Sequence, residues 1–115
     1  MNKPLVEPGT TVDVQCRGTN PKTLLVKTHN VTIVHLVILA GQTVPTHEAQ
    51  GEVILHCLKG RVSVIALGNT QVLKAGQLSY FSINQPLSIL GIEQASLVVT
   101  IITAKTGQNV ELIGN

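Results

Sequence analysis

The chain is 115 residues long, 43% hydrophobic and only 12% charged, with a formal net charge of +2. That length supports one domain with its own core, without a disulfide or a metal to hold it. Lys and Arg are scattered singly from Lys3 to Lys105, and Tyr80 and Phe81 are the only aromatic residues. The composition therefore excludes the clustered positive charge and stacking platform of a nucleic-acid binder. No apolar run reaches the roughly 18 residues of a spanning helix, and Met1–Thr10 has no basic-then-apolar leader pattern. No membrane partner is expected, and a cytoplasmic location is the expectation.

Residues 1–21 are punctuated by Pro4, Pro8, Gly9, Gly18 and Pro21 and are expected to form an N-terminal arm, with a short edge strand over Thr11–Cys16. From residue 22 to 115 the pattern predicts one β-barrel domain. Its strands are expected at Thr23–Thr28, Val31–Leu39, Glu52–Leu58, Val62–Leu67, Gln71–Leu73, Gln77–Ser82, Leu87–Leu90 and Leu97–Thr103. Lys59-Gly60-Arg61 supplies a flexible hairpin, and Gly68-Asn69 is placed as a two-residue turn between Leu67 and Thr70. Helical periodicity is missing throughout. Many short strands at even spacing imply a sandwich or a barrel.

The segment Gly41–Gly60, GQTVPTHEAQGEVILHCLKG, has the most specific spacing. In an extended chain His47 and Ala49 share one face, and Val53, Leu55 and Cys57 share one face of the strand that follows, so these faces are expected to line one cavity. The segment resembles the first motif of the cupin superfamily, G-x5-H-x-H-x3-E-x6-G. Gly41, His47 and Gly60 fall at the family's positions, but Ala49 stands at the second histidine and Val53 at the glutamate. Glu52 is one residue out of frame and, by strand alternation, points to the opposite face. The second motif, G-x5-P-x-G-x2-H-x3-N, lies on Gly76–Gly91, with Ser82 at the proline, Asn84 at the glycine, Leu87 at the histidine and Gly91 at the asparagine. The resemblance, over roughly residues 22–103, implies an all-β, cupin-type double-stranded β-helix, a jelly-roll barrel. Of the family's four metal-ligand positions it leaves only His47 with a donor, so neither a metal nor any other cofactor is expected.

His47 is thus the main polar feature expected in the barrel. One histidine among Ala49, Val53 and Leu87 makes a poor metal site, because mononuclear sites take three or more protein ligands. His56 alternates with Glu52, Ile54 and Leu58 and is expected outside. His35 sits in a strand apolar on both faces and cannot be assigned to either, and His29 beside Asn30 is a turn residue. Cys57 and Cys16 are expected as reduced, buried thiols rather than a disulfide, and Cys57 as an inert lining residue rather than a nucleophile. Tyr80, sharing a face with Leu78 and Ser82, is placed either at the polar end of the pocket or in the core with its hydroxyl at the rim. Asp13 is the only aspartate, which removes most carboxylate-pair and triad schemes.

The leading expectation is a metal-free protein with an apolar cavity lined by His47, Ala49, Val53, Cys57, Tyr80 and Leu87, whose partner is a small apolar ligand. Two alternatives stand beside it: an enzyme, with improvised metal ligands or with His47 as general base, and a stand-alone sensory or regulatory module. The outward face of Glu52–Leu58 and the doubly apolar Val31–Leu39 predict a homodimer.

Overall fold

A computed structural model describes residues 7–14, 21–46, 51–82 and 85–103. The regular elements among them are all strands: β1 Lys22–Lys27, β2 Val31–Ile38, β3 Thr43–Thr46, β4 Glu52–Lys59, β5 Arg61–Ala66, β6 Asn69–Lys74, β7 Leu78–Phe81, β8 Leu87–Gly91 and β9 Ala95–Ile102. They form two antiparallel sheets, a five-stranded sheet in the order β1-β2-β9-β4-β7 and a four-stranded sheet in the order β3-β8-β5-β6. Strand neighbours are mostly distant in sequence, as a jelly roll requires. No helix among the described residues is long and apolar enough to cross a membrane.

The core follows from period two. Along β4, Val53, Leu55 and Cys57 are buried while Glu52, Ile54, His56 and Leu58 are half-buried on the other face. Ala95 and Leu97 of β9 join them from the same sheet, and Val62, Val64, Leu73, Leu87 and Ile89 meet them from the four-stranded sheet. Facing sheets pack about 10 Å apart, so these side chains fill the space between the sheets.

Two of the crossings between the sheets hang on the end of β4. The chain passes from the five-stranded to the four-stranded sheet at Gly60, which has φ +74 and whose added Cβ would strike the Gln94 carbonyl oxygen. It returns after β6, where the Gly76 N–H donates to the Cys57 carbonyl at 2.9 Å and the Cys57 N–H donates to the Gln77 carbonyl at 2.9 Å.

Three expectations change. The strand β3 was missing from the predicted set: it is only four residues long, contains Pro45, and is recruited by pairing with β8. The edge strand expected over Thr11–Cys16 is not formed in its described part, since Thr11–Val14 is irregular and exposed; Gln15 and Cys16 lie outside the described residues. The β5–β6 turn is one residue earlier than expected. Ala66 pairs with Asn69, so Leu67 and Gly68 are the turn residues, with φ 55 and 77. Two successive positive φ values give the hairpin turn whose twist matches the strands.

Leu67 is 70% exposed, so it offsets its left-handed backbone with little burial. Leu67→Asn should raise unfolding stability by about 0.5–1 kcal/mol, because Asn tolerates that conformation far better than Leu. Denaturant unfolding with an unchanged m-value would measure it.

Candidate functional site

The family's ligand frame maps to one end of the barrel, where β4 begins, β7 ends and β8 begins. Val53 is opposite Phe81 on one side and Ile101 on the other, and Leu87 is opposite Thr46 and Ala66. Val53 and Leu87 are both buried, with Phe81, Ile101 and Ala66 packed against the same cluster. Two of the four frame positions thus carry inward aliphatic side chains within an apolar wall. The other two, His47 and Ala49, lie outside the described residues.

Glu52 does not compensate. It is on the outer face of the five-stranded sheet, where its Oε1 accepts a hydrogen bond from the Tyr80 hydroxyl at 3.2 Å. No group of three or more His, Cys, Asp or Glu side chains among the described residues could hold a metal ion. The described frame positions therefore do not fit the family's metal. Gly91, at the asparagine position, is buried, and an added Cβ would strike the Leu39 carbonyl oxygen, so this position has no room for a larger residue.

Tyr80 is a correction. It is paired with Ile54 and 57% exposed on the outer face, so it neither lines the interior nor reaches its rim. Its neighbour Phe81 faces inward instead. The alternation Leu78-Ser79-Tyr80-Phe81 offers an apolar residue to each face, and only pairing with β4 sets the phase. The hydroxyl proton is held more firmly than usual through slight desolvation, the hydrogen bond to Glu52 and the charge of Glu52.

Cys57 is fully buried on the inward face of β4, four residues along the strand from Val53 and so toward the opposite end of the barrel. Its Sγ–H donates to the Lys59 carbonyl at 3.3 Å and lies 3.5 Å from that of Gly60. Burial pushes the thiol up from its ordinary value, and the bond to Lys59 opposes this only in part. It is a free thiol that packs as a small hydrophobe and ties down the turn.

His35 and His56 now have places. Both are on the outer face of the five-stranded sheet, flanking Val98 in one row. His56 is half-buried, whereas His35 is only 2% exposed. Burial lowers the His35 pKa from its ordinary value, and its Nδ1 has no hydrogen-bond partner. His29 is exposed in the β1–β2 turn, where the Thr28 hydroxyl accepts the Asn30 and Val31 N–H groups, each at 3.0 Å.

No protein-family model and no curated protein matches the sequence. Solved structures do match. An RmlC-like cupin family protein with a double-stranded β-helix fold from Methanocaldococcus jannaschii superposes with a TM-score of 0.70 at 24% identity, over 84% of this chain and 94% of that one. An RmlC-like cupin from Desulfovibrio desulfuricans gives 0.72 at 20% identity, over 81% and 96%. A conserved protein of unknown function from Streptococcus pyogenes gives 0.73 at 15% identity, over 88% and 93%. The chain has the cupin fold, an all-β double-stranded β-helix.

A thiol so buried and raised should be silent in the native state. At pH 8, where a free cysteine is partly thiolate, Cys57 should react with a disulfide reagent at a rate that tracks global unfolding. Native-state labelling at the rate of a free thiol, located at Cys57 by peptide mapping, would show an open, activated group instead.

Proposed function

We propose that this protein is a metal-free binding module that takes a small, largely apolar ligand at the end of the barrel formed by Val53, Phe81, Leu87 and Ile101. The observation that carries the reading is that Val53 and Leu87, at two ligand positions of the family frame, are buried, inward and surrounded by apolar side chains. Apolar cavities with one or two polar groups suit small ligands, and His47 is the polar group the sequence assigns to this end. An enzyme reading needs a second polar group facing the same interior. Glu52 and Tyr80, the nearest described candidates along β4 and β7, are bonded to each other on the outside.

Protein purified without chelator should carry substoichiometric zinc, iron, nickel or manganese. A variant with all three lost ligands restored, Ala49→His, Val53→Glu and Leu87→His, should gain about one metal per chain, as expected for a site of three or more donors. A full equivalent in the wild-type protein that is lost in His47→Ala would overturn the metal-free reading.

The protein is further proposed to act as a homodimer. The outer face of the five-stranded sheet carries Ile33, Ile54, Val98 and Leu58 half-buried, with Leu78, Tyr80 and Ile102 exposed. Such a contiguous apolar face supports self-association. Sedimentation at micromolar concentration should give a dimer, and Leu78→Lys with Tyr80→Lys should shift it to monomer. A wild-type monomer under those conditions would sink the proposal.

A further inference from the structure

A cavity lies away from the family frame, at the far end of β4. It is open on one side, has a volume of about 940 Å³, and is bounded by Val14, His35, Val37, Leu58, Lys59 and Glu93 together with the turn into β9. Val53 and Lys59 are six residues apart on β4, which at about 3.3 Å per residue puts this cavity roughly 20 Å from the frame.

Its chemistry is mixed. Val14, Val37 and Leu58 form apolar walls, and Val14 comes from an irregular segment outside both sheets. A bulge between Cys57 and Lys59 shifts the register of β4 against β9, which lets both Leu58 and Lys59 border the cavity. The carboxylate of Glu93 is already paired with the Arg61 guanidinium at 3.3 Å. Lys59 forms no such pair among the described residues and is the cationic side chain that borders the cavity.

The second polar group is His35, whose Nδ1 is buried without a partner. A buried ring nitrogen left unbonded is costly, and such groups are nearly always satisfied. Since burial disfavours the charged ring, His35 offers a neutral hydrogen bond and Lys59 offers a charge. Their separation can be read from the register: Lys59 is opposite Ser96, Ser96 is opposite Val37, and Val37 is two residues from His35. Two strand spacings and two residues along a strand put their Cα atoms about 12 Å apart.

We propose that this cavity is a ligand site for an elongated, short-chain carboxylate carrying one hydroxyl at its far end. Lys59 pairs with the carboxylate, Val37 and Leu58 cover the chain, and the Nδ1 of His35 takes the hydroxyl. A six- to eight-carbon chain spans the gap between the two side chains. The inference is independent of the interior site proposed above.

The test is an amide NMR titration of the full chain with three probes: 6-hydroxyhexanoate, hexanoate and 1,6-hexanediol. The expected result is saturable shifts centred on Val37, Leu58 and Ser96, with the hydroxy acid the tightest binder. A single hydrogen bond or exposed ion pair is worth about a fivefold change in affinity. Lys59→Gln should therefore weaken both carboxylates by about fivefold and leave the diol unchanged. His35→Phe should erase the advantage of the hydroxy acid over hexanoate; if that variant does not fold, the ratio of the two acids on wild-type protein carries the same test. Failure of any probe to saturate at these amides, or affinities indifferent to both carboxylate and hydroxyl, would overturn the proposal. Shifts centred on Val53 and Leu87 would overturn it too, while supporting the interior site.

Discussion

Two of the crossings between the sheets are clasped to one another at the end of β4. The outgoing crossing at Gly60 and the returning crossing at Gly76 are bonded to one another, with the Ala75 N–H donating to the Gly60 carbonyl at 3.1 Å and Gly76 to Cys57 at 2.9 Å. Neither crossing has slack. Gly60 and Gly76 both have positive φ, where a side chain costs about 1–2 kcal/mol before any clash, and at Gly60 the Gln94 carbonyl blocks a Cβ outright. The Cys57 thiol seals the same turn from inside. This clasp sets the phase of β4, and β4 in turn sets β9 and β7 by pairing, so the inward order Val53, Leu55, Cys57 propagates across the five-stranded sheet.

Much of this was legible in the residues. The alternation of β4 was clear because Glu52 and His56 mark one face and only apolar side chains, Val53, Leu55 and Cys57, mark the other, and the glycines at 60 and 76 announced the turns. Elements failed to read where alternation carried no contrast. In β7 both phases present one large apolar residue, so Tyr80 and Phe81 exchanged roles. In β2 both faces are apolar, which left His35 unassigned until pairing with Val98 placed it on the outer face. At the β5–β6 hairpin the first of the two residues at positive φ is Leu67, an identity that propensity argues against. The turn was therefore drawn one residue late, onto Gly68-Asn69.

Of the candidate interior site, Val53 and Cys57 were expected inward from strand alternation and Leu87 from the motif resemblance, and the structure brings all three into one cluster. Phe81, Ile101 and Ala66 were not singled out. Their contribution comes from strands that meet β4 and β8 only through long-range pairing, and no local pattern encodes which strand becomes a neighbour. The cavity beside His35 and Lys59 was equally hidden. It is assembled from the arm, three strands and the β8–β9 turn, so its residues share no sequence motif.

The split between matching glycines and unmatched ligand positions has a physical basis in the frame itself. Gly41, Gly60 and Gly76 all hold positive φ, so they are demanded by the path of the chain whatever the barrel contains. The ligand positions lie on strands, where alternation requires only that the side chain face inward. A valine at position 53 or a leucine at 87 satisfies that requirement as well as a metal ligand, and it removes a buried polar group that would cost about 1–3 kcal/mol if left unpaired. A barrel without metal is therefore held together better by aliphatic residues at those positions than by orphaned donors. The turns that make the fold recognisable are the part of the motif that the chain path constrains most, whereas the positions that would define the chemistry are those the fold leaves free.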